Sequence, residues 1–342
     1  MALRNYSVDV ARGALMLYIV AVIHGIFWLW LLPTKLGALF LFEMPCVFII
    51  TGYAYFLYQA MPARKNSEMG VASYIEFLLG RFTRILIPYF FYAVFCIGYS
   101  YVVREPEWSM SEIVMAWLNP FQYGRGHRVG MLNWHLWFIP PYLAVTALLP
   151  LATRITLPVK MPLWAYMLCS AAAVFLCSLV QIDLLSSVLS YGLWAVFGYH
   201  LAKVNLLATR NDYLRVLAAA LLTLLAFALF LPAGYSLHMQ ENKFPPNFIF
   251  FVFCAAWIAF FLVVLPLLPT ALPEKLSRQV WLRPFIKSGY SIYIWQGAGY
   301  SLAAYVGSTY HYSKYIVWGI ALVLTVIFGM LASPLERLRF RK

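Results

Sequence analysis

Asp9, Arg12 and His24 stand within or at the edge of the first long apolar stretch of this chain, and Glu43 stands inside the second. An ionisable side chain at membrane depth costs about 2.5 to 3.5 kcal/mol on insertion scales, so such residues usually mark function. A neutral histidine suits proton transfer near pH 7. A neighbouring carboxylate would hold its tautomer and stabilise its protonated form. At 1.5 Å per residue His24 lies about 12 Å in from the outer end of its span, and Glu43 about 10 Å in from the outer end of the next. The Pro33-Thr34-Lys35 turn makes these spans antiparallel neighbours. The spacing therefore predicts a catalytic His24–Glu43 pair. The competing reading is a buried histidine satisfied by a backbone carbonyl, with Glu43 bonded elsewhere. A second basic constellation, Arg81-Phe-Thr-Arg84, places two guanidinium groups three residues apart on one helix face. Forked guanidinium groups match phosphate oxygens. The alternative for these arginines is a topology signal in contact with lipid headgroups.

The elements that must hold these residues are set by composition. With 63% hydrophobic and 11% charged residues in 342, and a mean hydropathy of +0.78, the chain has too little polar surface for a soluble domain. It reads as an all-α integral membrane protein. Apolar runs long enough to span or nearly span a bilayer fall at 13–32, 36–58, 85–103, 136–152, 161–180, 184–201, 214–232, 248–268, 285–306 and 315–332. Ten spans in a single domain, 1–342, put both termini on one side. The first run is too long for a removable signal peptide and lacks a small-residue cleavage site. Of the 25 Lys and Arg side chains, only Lys35, Arg104, Arg125, Arg128, Lys243 and Lys314 fall at one set of span ends, and the rest at the other. By the positive-inside rule the termini are cytoplasmic. The net charge of +13 then follows from topology and anionic headgroups, without nucleic acid as a partner.

The long outer loop, 104–135, carries Trp117, Tyr123, Arg125, Arg128 and Trp134 ahead of His135-Leu-Trp137. Flat aromatic faces with interleaved donors can orient a sugar ring, and an interfacial aromatic belt is the plainer reading. His200, His238 and His311 stand alone at span ends or in loops. The five cysteines lie in apolar stretches without metal-ligand or disulfide-framework spacing, so they read as packing residues and no metal is expected.

Taken in order, Asp9-x-x-Arg12-Gly13 with His24, Phe42-Glu-Met-Pro-Cys-Val-Phe-Ile-Ile-Thr51-Gly52-Tyr53, Arg81-Phe-Thr-Arg84-Ile-Leu-Ile-Pro88, His135-Leu-Trp137-Phe138-Ile and Ser291-Ile-Tyr293-Ile cover the chain nearly end to end. This ordered set resembles membrane-bound acyltransferase family three. The resemblance implies transfer of an acyl group, usually acetyl from acetyl-CoA, to a hydroxyl of a saccharide or another surface molecule. It maps the family's basic-to-histidine pair onto Arg12 and His24, and its double-arginine motif onto Arg81 and Arg84. Arg12 with Asp9 is then either a local ion pair or a support for the donor's phosphate or pantetheine end. Three departures stand out. Eleven residues separate Arg12 from His24 where the family usually has ten, which turns His24 by about 100° relative to Arg12 in a regular helix. Glu43 and Gln296 each occupy a position where a histidine is common.

These observations lead to a set of expectations. The protein is a bacterial inner-membrane O-acyltransferase acting on a cell-envelope saccharide or lipid-linked saccharide, with O-succinyl transfer as a variant. His24 and Glu43 are catalytic. Arg12, Arg81 and Arg84 bind the donor. Asp9, Trp134, His135, Trp137, Arg125, Arg128, Tyr293 and Gln296 face substrate. The alternative class is a transporter or flippase of a lipid-linked saccharide, using the same ionisable groups for recognition and gating.

Overall fold

The structure, a computed structural model, describes residues 5–61, 70–102, 109–121, 131–154, 163–180, 182–203, 236 and 238–338. Among them every regular element is helical. Six helices are long and apolar enough to cross a membrane: Tyr6–Trp28, Thr34–Gln59, Val71–Val102, Asp183–Lys203, Phe248–Leu267 and Lys314–Glu336. That makes the chain an integral membrane protein. Six is fewer than the ten apolar runs in the sequence, and the difference has identifiable sources. Leu136–Ala152 and Ala165–Ser178 are apolar but shorter. Arg283–Tyr310 is 28 residues long, but its serines, glycines, tyrosines and Gln296 dilute its hydropathy. Much of it is buried against protein, which removes the need for a uniformly apolar surface. The run at 214–232 lies outside the described residues, as do Arg125 and Arg128.

The helices gather into two compact units. One comprises Met1–Val8, Thr34–Glu68 and Ala144–Leu276. Its centre is the pair Glu43–Gln59 and Asp183–Lys203, which approach closely because Gly52 faces the Ala195 carbonyl and Gly198 faces the Ile49 carbonyl. A methyl at either glycine would overlap that backbone, the small-residue logic of membrane helix pairs. Phe48 stacks on Tyr191 with ring centroids 4.7 Å apart, and Trp194 on Phe251 at 4.6 Å.

The other unit comprises Asp9–Pro33, Met69–Leu143 and Ser277–Lys342. Its spine is the antiparallel pair Arg283–Tyr310 and Lys314–Ala332, joined through His311 in the left-handed region, with φ 54°. The Tyr312 N–H reaches back to the Gly307 carbonyl, which closes the helix end. Against this spine lie the first helix, where Gly13 abuts Ile286, and the 32-residue Val71–Val102 helix. The latter begins well before its apolar run, so Arg81 and Arg84 project from a formed helix rather than from a loop before one.

Candidate active site

The first helix is not regular. Residues Tyr18–Ile23, immediately before His24, form a π-helical turn, and the His24 N–H bonds the Ile19 carbonyl five residues back. A π turn absorbs one extra residue into a helix, turning the residues beyond it back by about 100°. The eleven-residue spacing between Arg12 and His24 thereby regains the angular phase of a ten-residue one. The widened turn also frees carbonyls, and side chains take them up. The Tyr300 hydroxyl donates to the Val20 carbonyl at 2.6 Å, and Trp318 Nε1 donates to the Ala21 carbonyl at 2.8 Å. Both donors come from the spine helices, so the irregular turn is braced by the hairpin behind it.

His24 is buried, stacked on Trp28 with ring centroids 4.2 Å apart. Its Nδ1 donates to Gln296 Oε1 at 2.6 Å. That bond selects the tautomer with the proton on Nδ1 and assigns the lone pair to Nε2, the form a general base requires. Gln296 is fully buried, and its Nε2 has no hydrogen-bond partner among the described residues. Sequence reasoning put Gln296 at the substrate and assigned Glu43 the task of orienting His24. In the structure the orienting bond comes from Gln296.

Glu43 has another partner. Its Oε1 accepts a hydrogen bond from Lys243 Nζ, within the unit that holds both, and the two side chains are 2% and 5% exposed. Lys243 comes from the short Met239–Lys243 helix, whose exit is shaped by Asn242 and Asn247. Glu43 opens the Glu43–Gln59 helix, where the helix dipole also favours a carboxylate. This is the competing sequence reading of Glu43, a carboxylate bonded elsewhere, and Lys243 is a residue that the sequence assigned only to topology.

Around His24 its own unit, that of Asp9–Pro33, Met69–Leu143 and Ser277–Lys342, assembles a cage of rings. Trp28 meets Trp134 at 6.0 Å, His135 at 5.7 Å and Tyr300 at 5.1 Å between centroids, and Tyr293 lies 6.2 Å from His24. His135 is wholly buried. Its Nε2 donates to the Ile294 carbonyl at 2.9 Å, and its own carbonyl accepts from the Tyr293 hydroxyl at 2.5 Å. Burial pushes its pKa down to about 3, so it stays neutral. These bonds make His135 and Tyr293 a brace for the helix that carries Gln296. Trp134 is more open, at 39% exposure, and Trp137 is intermediate. Trp134 meets the edge of the Trp28 ring that stacks on His24.

Toward the other end of the unit lie the arginines. Arg12 Nη2 donates to the Ile286 carbonyl at 3.0 Å, and Asp9 stands 3.8 Å away on the preceding turn. Arg81 lies over the Phe77 ring. The charges that act on Arg84 are those of Arg81, Arg12 and Glu336. Three guanidinium groups, Arg12, Arg81 and Arg84, thus stand against two carboxylates, Asp9 beside Arg12 and Glu336 near Arg84, which leaves a net positive neighbourhood. From Arg12 to His24 the helix advances about 18 Å.

Two chemical features now stand in one helical membrane unit: a buried histidine whose Nδ1 is held by Gln296, and a group of arginines a helix-length away. The model of the acyltransferase domain of acyltransferase family 3 matches residues 5–333. The chain belongs to that family and is a membrane acyltransferase. A search of the curated proteins and of the solved structures finds no match.

Proposed function

We propose that this protein is an O-acyltransferase of the bacterial inner membrane that moves an acetyl group from acetyl-CoA to a hydroxyl of a cell-envelope saccharide. The observation that carries the reading is the buried His24 Nδ1 bond to Gln296 in the same unit as Arg12, Arg81 and Arg84. The arginines hold the donor's phosphates at the cytoplasmic side. The pantetheine arm runs along the first helix, and the thioester meets His24. There Nε2 takes the proton of the acceptor hydroxyl as its oxygen attacks the thioester carbonyl. The tetrahedral intermediate then collapses with loss of the thiolate, which recovers the proton from the imidazolium. Gln296 keeps Nδ1 protonated throughout. Trp134 and Trp137 supply flat faces for the sugar, and lipid-linked saccharide is the acceptor form that reaches such a depth from the outer side. Both termini lie in the cytoplasm in this arrangement, and the chain crosses the membrane ten times.

The test is incubation of the purified protein with isotopically labelled acetyl-CoA and, separately, succinyl-CoA, together with envelope extract, followed by mass spectrometry of the products. Acetyl label on saccharide hydroxyls is the expected result. Label from succinyl-CoA alone would reassign the donor. Movement of saccharide across vesicles without consumption of either donor would replace the enzyme with a transporter.

A further inference from the structure

The Arg283–Tyr310 helix is two helices joined at a break. Ser288 has φ −135° and ψ 28°, outside the helical region, and is followed by Gly289. A serine-glycine pair is a common site of such kinks. A break inside a helix creates a new N-terminus whose first N–H groups have lost their carbonyls. One of these, the Ser291 N–H, is taken by Glu336 Oε1, from the 3-10 turn Ser333–Arg337 at the end of the last helix. Ser291 and Glu336 are both buried. A carboxylate at a helix N-terminus also meets the positive end of the dipole. This is a cap supplied from 45 residues away.

What the cap holds is the acid–base site. Within five residues of Ser291 come the Tyr293 hydroxyl bonded to the His135 carbonyl, the Ile294 carbonyl bonded to His135 Nε2, and Gln296 bonded to His24 Nδ1. One residue before Ser291, the Tyr290 hydroxyl donates to the Ile85 carbonyl at 3.0 Å, directly after Arg84. Glu336 is also the acidic charge among those acting on Arg84. The same carboxylate therefore borders the arginine cluster and starts the half-helix that orients His24.

We propose that Glu336 is a positioning residue for acyl transfer: it caps the inner half-helix at Ser291 and thereby holds Gln296 in register with His24, beside the arginines that take the donor. The inference rests on the reading of His24 as the base, and its test has one arm that does not depend on activity. In protein labelled with 15N-histidine, with the His24 signals assigned from a His24→Asn sample, nitrogen chemical shifts report the tautomer. The unaltered protein should show His24 protonated on Nδ1. Glu336→Ala should convert it to a tautomer mixture, and Glu336→Gln, which retains an acceptor oxygen, should preserve most of the Nδ1–H form. In the acyl-transfer assay Glu336→Ala should lower kcat about tenfold or more, with the donor KM within about twofold or below its original value, because a competing carboxylate has left the arginines. Adding Gln296→Leu should cost little more. Should Glu336→Ala fail to fold, Glu336→Asp, whose carboxylate is drawn back by one methylene, carries the same readouts. An unchanged His24 tautomer in the folded alanine or aspartate variant overturns the proposal, as do losses that multiply with those of Gln296→Leu. A shifted tautomer in a protein that transfers no acyl group would leave the positioning role intact and refute the enzymatic reading instead.

Discussion

At the scale of single residues, the arginines and the buried ion pair make opposite demands. Arg81 and Arg84 are useful only if a ligand meets them. Replacing either with alanine should weaken donor binding by about 1.5 to 3 kcal/mol, the range for hydrogen bonds to charged groups, and lysine should rescue only part because it lacks the fork. Equilibrium binding of acetyl-CoA to the detergent-solubilised protein measures this, and unchanged affinity in the folded double mutant would reduce the pair to topology. Glu43 and Lys243, by contrast, need each other. Breaking a buried pair from one side costs about 3 to 5 kcal/mol, whereas replacing both with apolar groups of similar size is often neutral. Glu43→Gln or Lys243→Met should therefore lower the thermal unfolding midpoint, and the double variant Glu43→Leu with Lys243→Met should recover most of it. A double variant as unstable as the two single losses combined would contradict the pairing. The buried histidine and the arginines toward the other end of its unit were legible in residue type and spacing. The partners of His24 and Glu43 were not, because a partner brought in from 272 or 200 positions away leaves no trace in local spacing.

At the scale of elements, two irregularities position the chemistry. The π turn at Tyr18–Ile23 absorbs the residue by which the Arg12-to-His24 spacing exceeds ten. Deleting Val22, which faces outward at 37% exposure, should let the turn wind as α-helix with His24 in nearly the same phase, so measurable transfer should remain. Inserting an alanine after Val22 should rotate His24 away by about 100° and abolish transfer. Equal loss from deletion and insertion would show that the phase argument fails. The odd spacing was visible in the sequence, but its resolution was not. A helix can relieve an extra residue by rotating or by bulging, and the choice depends on the Tyr300 and Trp318 donors waiting at the displaced carbonyls. The Ser288-Gly289 break was likewise written as an ordinary pair of small residues, and only the distant Glu336 makes the break a cap.

At the scale of the whole molecule, apolar composition and the order of motifs were enough to read an all-helical membrane acyltransferase, and the family domain runs through segments of both compact units. The number of spans was less legible. Hydropathy equates an apolar run with a crossing, yet one run here is a helix buried enough to carry polar residues and two are short. Orientation rests on the asymmetry of the basic residues. A cysteine reagent that cannot cross membranes should label a cysteine placed near Arg125 in intact cells, and one near Lys65 only after permeabilisation. The reverse pattern would exchange the donor and acceptor faces.

The central claim is that His24 removes the acceptor proton while the arginines hold the donor. The direct measurement compares the purified protein with its His24→Ala variant in transfer of labelled acetyl from acetyl-CoA to envelope saccharide, with donor affinity recorded for both. Transfer should fall by roughly 10² to 10⁴, the loss expected for a general base, while donor affinity is retained. Transfer at the unaltered rate by a folded His24→Ala protein would contradict the account.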